Sequence, residues 1–395
     1  MEDVGRPGEL ALAVVADDRT GALETAGECA DAGAGPVLVT TTLGDRPVAG
    51  GRCVVVDLGT RHLDADAARR IVVRADRIDA RRHAHKFDSG LRGNWAAELV
   101  ARHRAAQWRV LVVPANPAVG RTCVDGVVLL DESPVHEAAT GDDALDPVTS
   151  SRPAEHLTRA AAPDVVVLTS SDGLREWLSG SGPDFAVCDA RTNDDLRTIA
   201  ELWDGADGVL FAGTAASIGA AAGALNGGMW RVTSQPAAPG PVLVVCGSVH
   251  EAARRQVGAL AARGVAVGVV SDPSAARLVL DMTDERPGLL QTPMPASLPV
   301  DADDAAAMAA ALADAAHRLW SARDPAVVVI IGGDTAAAVL GDEPLVVRGT
   351  VGAGTPIGWR LGFGPPAIVT RSGAFGADDA LIRLVEALRA GHQPT

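Results

Sequence analysis

The chain has 395 residues, enough for two domains with substantial cores, and its hydrophobic fraction is 47%. Its formal net charge of -15 predicts a surface that repels nucleic acids and anionic membranes, so we expect neither as a partner. The five cysteines are scattered without a CxxC pair, which argues against a zinc site or a disulfide framework and predicts a cytoplasmic protein without a signal peptide.

Short apolar runs alternate with longer helical patterns rich in alanine and arginine. The runs are continuous rather than alternating in polarity, and this is typical of buried parallel strands in βαβ units. In the first half they cover residues 10–16, 36–40, 53–58, 110–114, 165–168 and 185–188.

The segment 233–241 is rich in proline and small polar residues and is predicted to be a linker. After it a second series of strands is predicted at 242–246, 265–270, 278–281, 326–331 and 367–370, with a long loop over 286–299. We therefore predict two α/β domains with mainly parallel sheets, over residues 1–235 and 236–395, and an active site in the cleft between them.

The first predicted strand runs directly into Asp17 and Asp18, followed by a glycine turn and a predicted helix. In open α/β sheets, ligands bind at the carboxyl ends of strands. Capping of the helix would explain one of the two carboxylates but not both. The pair is therefore interpreted as a site for substrate hydroxyl groups or a metal ion.

Lys86 is the only lysine among 35 Lys and Arg residues. A compact ammonium group reaches and orients differently from a planar guanidinium, so Lys86 is a candidate for chemistry that arginine cannot perform. Asp88 and Ser89 can pair with substrate hydroxyls, and Arg92, near a helix predicted over 92–104, can bind a carboxylate with two hydrogen bonds. The alternative is that Lys86 survives by chance in a polar loop.

The predicted strand 110–114 leads into a loop that Pro114 and Pro117 make rigid. Asn116 and Arg121 are polar side chains of this loop, and we assign both to substrate binding. A purely structural turn would explain the loop almost equally well.

Four glycine-rich loops follow predicted strands in the second half. Glycine lets backbone N–H groups approach phosphate closely, so four such loops in one domain indicate a nucleotide site, although none is a Walker A sequence. The candidate nucleotide-binding residues are Gly247, Ser248, Gly332, Gly333, Asp334, Thr335, Gly352, Gly354, Thr355, Gly373, Phe375 and Gly376.

Taken in order, these motifs resemble the signatures of the four-carbon acid sugar kinase family over nearly the whole chain. The family carries Asp-Asp-x-Thr-Gly-Ala and Lys-x-Asp-Ser-x-Leu-Arg-Gly-Asn signatures, a Gly-Arg-Thr and Asp-Gly loop, and Gly-Ser, Gly-Gly-(Glu/Asp)-Thr and Ser-Gly-x-Phe-Gly segments. The matches lie at residues 17–22, 86–94, 120–122, 125–126, 247–248, 332–335 and 372–376.

The resemblance implies an N-terminal domain that binds a sugar acid, a C-terminal domain that binds ATP, and phosphorylation of the terminal hydroxyl of tetronates and 3-oxo-tetronates. Mg²⁺ is expected to bridge the phosphates. We predict an ATP-dependent kinase acting on a small hydroxy carboxylic acid. Lys86 and Arg92 would hold the carboxylate or phosphoryl group, and Asp17, ahead of Asp88, would be the general base. A homodimer is left open.

Three residues depart from the family pattern. Arg19 stands where the family usually has Phe or Leu, Gly90 where it has Thr, and Arg371 where it has Lys. The first two lie in the substrate signatures, so the acceptor could be a related hydroxy acid or hydroxy amino acid. Two other functions are left open: activation of a carboxylate to an acyl phosphate in the same pocket, and non-catalytic ligand binding.

Overall fold

A computed structural model describes residues 10–137, 147–227, 239–271, 280–295, 301–362, 364–373 and 376–391. The chain divides into two compact units, Met1–Thr233 and Ser234–Thr395. Both units combine helices with mainly parallel strands, which confirms the predicted fold class. In the described ranges no helix is long and apolar enough to cross a membrane.

The N-terminal unit is built on a large parallel sheet. Its described strands are β1 (Leu12–Ala16), β2 (Val37–Thr40), β3 (Cys53–Asp57), β4 (Arg82–Lys86), β5 (Arg109–Val113), β6 (Arg121–Val124), β7 (Val127–Leu130), β8 (Ser133–Pro134), β9 (Val165–Leu168), β10 (Phe185–Cys188) and β11 (Val209–Gly213). Its described helices are α1 (Arg19–Cys29), α2 (Ala65–Val72), α3 (Trp95–Ala106), α4 (Pro153–Arg159), α5 (Ser171–Leu178), α6 (Asn193–Asp204) and α7 (Ala215–Leu225).

The strands of the large sheet follow the order β2-β3-β1-β4-β11-β5-β10-β9, and all neighbouring pairs are parallel. Ala16 at the end of β1 is in register with Asp57 on β3 and with Lys86 on β4. Gly213 at the end of β11 is in register with Lys86 and with Val113 on β5. Five strands therefore end side by side, and the residues that follow them share one edge of the sheet.

The described strands of the C-terminal unit follow the order β13-β14-β12-β15-β18-β17-β16. Its described strands are β12 (Val242–Cys246), β13 (Ala266–Val269), β14 (Gly288–Gln291), β15 (Val327–Ile331), β16 (Leu345–Thr350), β17 (Pro356–Arg360) and β18 (Ala367–Arg371). Its described helices are α8 (Glu251–Ala261), α9 (Ala302–Arg323), α10 (Gly333–Leu340) and α11 (Ala380–Arg389). The first five strands in this order are parallel, whereas β16 and β17 are antiparallel.

Several sequence-based element predictions need correction. The loop predicted over 286–299 is wrong, because the buried strand β14 lies within it. Residues 280 and 281 do not form the predicted strand, and 278–279 lie outside the described residues. The loop predicted after β5 covers residues 114–120 but ends earlier than expected, because β6 begins at Arg121 and forms a separate antiparallel sheet with β7 and β8. Most of the predicted linker also lies outside the described residues.

Candidate functional site

Asp17 and Asp18 share one cation, Arg61. Arg61 Nε and Nη2 donate to the two oxygens of Asp17 at 2.9 and 3.0 Å. Arg61 Nη1 and Nη2 donate to the two oxygens of Asp18 at 2.9 and 2.8 Å. Asp18 also caps α1 by accepting from the Gly21 N–H at 2.9 Å. Asp18 therefore caps α1, as the capping interpretation predicts, and both carboxylates pair with Arg61; their use as a ligand site stays a prediction.

Sequence reasoning missed Arg61, which follows β3 in a short loop. The side-chain amide of Asn94 donates to the carbonyls of Thr60 and Leu63 at 3.0 and 2.8 Å and so holds that loop. Burial lowers the pKa of Arg61, but Asp17 and Asp18 outweigh it and raise the pKa well above its ordinary value. The sequence contains one indirect signal for Arg61, which is Asn94 in the matched signature, because Asn94 holds the loop that carries Arg61.

Lys86 is the last residue of β4 and is 4% exposed, so it does not lie in a solvated loop. Its ammonium group packs against the first turn of α1, because a Cβ on Gly21 would lie 2.7 Å from Lys86 Nζ. Phe87, the next residue, stacks on Trp95 with ring centroids 4.7 Å apart and anchors the chain after β4. The position of Lys86 is therefore fixed by the contact of its side chain with α1 and by the anchoring of Phe87, the residue that follows it.

Asp88 organises the loop between β4 and α3. Its Oδ2 accepts from the backbone N–H of Gly90 at 3.0 Å and from Arg92 Nε at 2.9 Å, while Oδ1 accepts from Arg92 Nη2 at 3.0 Å. Burial would raise the pKa of Asp88, but Arg92, Arg61 and Lys86 hold it well below its ordinary range. Arg92 precedes α3, which begins at Trp95 rather than at residue 92, and Ser89 in the same loop is partly exposed.

Asn116 and Arg121 lie directly opposite each other and exchange two backbone hydrogen bonds, at 2.8 and 3.0 Å. Both are buried, at 5% and 3% exposure. The Asn116 Oδ1 atom is buried and accepts no hydrogen bond from the part of the chain that the structure describes. Burial lowers the pKa of Arg121, and the nearby Asp88 partly restores it. The structure thus brings this loop next to the Lys86–Arg92 segment.

The Asp125–Gly126 pair of the same matched loop has a structural role. Both residues have positive φ, 50° and 71°, and they form the two-residue turn of the hairpin between β6 and β7. The carboxylate of Asp189 accepts from both of their backbone N–H groups, at 2.6 and 2.9 Å. This pair therefore needs no ligand to explain it.

Two further carboxyl groups lie near these residues and were also missed. Asp57 ends β3, and burial raises its pKa to about 6, although the Gly59 N–H lowers it. Burial likewise raises the pKa of Glu24 on α1, although the nearby Lys86 lowers it. Only the adjacency of β3 and β1, and the helical spacing from Gly21 to Glu24, could have pointed to them.

In the C-terminal unit, three of the four glycine-rich loops lie side by side. Cys246, Ile331 and Arg371 are in register at the ends of β12, β15 and β18, so Gly247, Gly332 and Ser372 follow at one edge. These loops pack tightly against each other. A Cβ on Gly247 would lie 2.5 Å from Thr335 Oγ1, and one on Gly373 would overlap Ser248 Oγ.

Helix α10 begins at this edge, after Gly332, whose φ of 106° disfavours any other residue. No side chain caps its first turn, so backbone N–H groups there are available to an anion. Thr335 is buried within that turn, whereas Asp334 is exposed. This edge therefore presents backbone N–H groups of the kind that bind phosphate.

The remaining nucleotide-site candidates are distributed differently. Gly352, Gly354 and Thr355 belong to the hairpin turn between β16 and β17, so no helix start follows them. Gly376 lies near the end of β18, where its carbonyl accepts from Gln256 Nε2 at 3.0 Å. Gly333 begins α10. Phe375 lies outside the described residues.

Two family models match the chain. A family model described as a sugar-binding N-terminal domain matches residues 12–222, and one described as a nucleotide-binding C-terminal domain matches residues 243–381. The chain belongs to the four-carbon acid sugar kinase family. A D-threonate kinase from Bordetella bronchiseptica is 32% identical, with 96% of this chain and 97% of the relative covered.

Other members of this kinase family are similar over comparable lengths. A 3-oxo-tetronate kinase from Methylobacterium radiotolerans is 29% identical, with coverage of 95% of this chain and 99% of the relative. Among solved structures, a Salmonella typhimurium protein described as a putative tRNA synthase matches with a TM-score of 0.75 and 21% identity, over 94% of this chain and 98% of that one. At this identity the likeness supports the fold alone.

Proposed function

We propose that this protein is an ATP-dependent kinase that phosphorylates a hydroxyl group of a four-carbon sugar acid, with D-threonate as the first acceptor to test. The observation that carries the proposal is the gathering of four basic side chains around Asp88 at one edge of the N-terminal sheet. These side chains are Arg61, Lys86, Arg92 and Arg121. These cations outnumber the carboxylates of Asp17, Asp18 and Asp88 that lie among them, and in a protein of net charge -15 this local excess of positive charge suits an anionic acceptor.

Lys86 and Arg92 are proposed to bind the acceptor carboxylate or the transferring phosphoryl group. Lys86 is buried and fixed against α1, so it can act as a positioned charge. Asn116 offers an unused buried oxygen to an acceptor hydroxyl. Asp18, Ser89 and Arg121 complete the proposed acceptor site.

Asp17 is proposed to orient the attacking hydroxyl and accept its proton. Arg61 pairs with both of its oxygens and holds it in a fixed position. Phosphoryl transfer proceeds through a loose transition state, in which positioning and charge neutralisation matter more than a strong base. Asp88, whose pKa lies well below its ordinary range and which Arg92 holds in place, is the alternative.

The C-terminal unit is proposed to bind ATP through the loops at the ends of β12, β15 and β18. The first turn of α10 begins among these loops and has no side-chain cap, so its backbone N–H groups can bind a phosphate. Mg²⁺ would enter with the nucleotide and neutralise phosphate charge. A cytoplasmic location and a homodimer stay predictions.

The proposal is tested by ADP release from the full chain with ATP and a panel of four-carbon sugar acids. The panel contains both stereoisomers of threonate and erythronate, 3-oxo-tetronate, and a hydroxy amino acid, because Arg19 and Gly90 depart from the family pattern. We expect acid-dependent ADP release that Lys86→Gln abolishes. Binding of an acid without any ADP release would instead favour a non-catalytic ligand-binding protein.

A further inference from the structure

Glu24 lies one helical turn after Gly21, where the Lys86 ammonium packs against α1. A Cβ on Gly21 would be 2.7 Å from Lys86 Nζ, so the ammonium covers this face of the helix. Residues three apart share a helix face, and side chains lean back toward the helix N-terminus. This spacing places Glu24 on the side of α1 that Lys86 covers, and Lys86 is the charge that most lowers the pKa of Glu24.

The charged groups around Glu24 come from several elements. α7 packs along α1 but contains no ionisable side chain. The groups that face Glu24 are Lys86 from β4, Arg121 from β6, Asp88 from the loop after β4, and Asp18 and Glu28 from its own helix and cap. Burial raises the pKa of Glu24, Lys86 and Arg121 lower it, and Asp18 and Asp88 raise it. The balance favours a carboxyl group that gains a proton more readily than an ordinary glutamate.

Hydrogen-bonding capacity around Glu24 is unused. Within the described ranges no hydrogen bond or ion pair engages its carboxyl group. Thr20, four residues earlier on the same face, has a buried hydroxyl that makes no hydrogen bond within these ranges. The Asn116 side-chain oxygen is likewise buried and makes no hydrogen bond there. Glu24 itself is half-buried. Buried polar groups such as the Thr20 and Asn116 oxygens are normally satisfied in native proteins, so these two are expected to belong to a site that a ligand completes.

We propose that Glu24 is an acceptor-binding residue that takes up one proton from solvent when the acceptor anion binds at Lys86, and then donates a hydrogen bond to that acceptor. The inference rests on the proposed function, because it requires a carboxylate at Lys86 and Arg121. An ionised Glu24 beside that carboxylate would repel it, whereas a neutral carboxyl group supplies the donor that the carboxylate oxygen needs.

The kinetic test compares the acceptor KM across pH in the wild-type protein and in two variants, by ADP release. Binding that consumes one proton weakens about tenfold for each pH unit above the pKa of the free group. The wild-type KM should therefore rise with pH at this slope, and Glu24→Gln should give a flat profile. Glu28→Gln makes the same change one turn further along α1, where burial raises the pKa to about 8, and should keep the slope.

A spectroscopic readout separates this inference from the proposed function. Because Lys86 is the only lysine, ¹³C-lysine labelling gives one lysine signal for the whole chain. In the ligand-free protein this signal should show a titration step that Glu24→Gln removes and Glu28→Gln retains. A step or KM slope that survives in Glu24→Gln would overturn the inference. If no acid of the panel causes ADP release although Glu24→Gln removes the step, the proposed function fails and the acceptor role of Glu24 fails with it.

Discussion

Replacing Arg61 with methionine should destabilise the N-terminal unit strongly, although no sequence motif marks this residue. Four hydrogen bonds from Arg61 to Asp17 and Asp18 would be lost. Methionine fills much of the space of the arginine stem but provides no charge. Asp17, whose side chain is fully buried, would then be an uncompensated charge.

The size of the effect follows from the burial of the three groups. Removing one partner of a buried ion pair costs ~3–5 kcal/mol. Arg61 is 12% exposed and Asp18 is 18% exposed and keeps its hydrogen bond from Gly21, so most of the cost comes from Asp17. We therefore expect a loss of about 3 kcal/mol in the free energy of unfolding, near the lower end of that range.

Urea unfolding at pH 7, followed by far-UV circular dichroism, measures this loss. Arg69→Met is the matched control, because Arg69 pairs with Asp66 at the surface with 40% and 75% of their side chains exposed. It should change stability by less than ~0.5 kcal/mol. Adding Asp17→Asn to Arg61→Met should recover part of the lost stability. Equal, small effects of Arg61→Met and Arg69→Met would refute the interpretation of Arg61 as a buried counter-ion.

Three further predictions concern single residues. Lys86→Arg should reduce kcat by on the order of 10²-fold, because the reacting groups would be misplaced. It should also lower the free energy of unfolding by ~1–3 kcal/mol, because the larger side chain presses on Gly21. Turnover at the wild-type rate would contradict this prediction. Burial raises the pKa of Asp57 to about 6, so the wild type should lose stability as pH rises from about 4 to about 6. Asp57→Asn should flatten that decline when unfolding by urea is measured across this pH range. An unchanged dependence of stability on pH in the variant would contradict the prediction. Gly332→Ala should weaken ATP binding at least tenfold, as measured by calorimetry. Gly341→Ala is the control and should not weaken it, because Gly341 lies at the other end of α10 and has positive φ but open space around it. Equal losses of affinity in the two variants would argue against a phosphate site at Gly332.

The sequence was informative where the chain alternates apolar strands with helices. The runs at 53–58, 165–168 and 185–188 lie within one residue of β3, β9 and β10, because continuous β-branched segments have few other stable environments than a buried parallel sheet. β14 escaped prediction because it is four residues long and lies between Arg286–Pro287 and Thr292–Pro293, in a segment that reads as a loop.

The candidate site was only partly accessible from sequence. Asp17, Lys86 and Asp88 could be selected because they follow strand-like runs and stand in recognisable spacing. Arg61 and Asp57 could not, because their role depends on β3 lying next to β1, which is a property of strand order. The pattern of apolar and polar residues along one sequence predicts where strands lie but not the order in which they pair.

The most direct test of the account is to identify the product that the full chain makes from ATP and D-threonate. Phosphorus NMR of the reaction mixture distinguishes a phosphate ester of a hydroxyl group from an acyl phosphate, and hydroxylamine consumes only the latter. The account predicts ADP together with a hydroxylamine-resistant phosphomonoester from D-threonate or another four-carbon acid of the panel. A hydroxylamine-sensitive product, or no phosphorylated acid from any member of the panel, would contradict it.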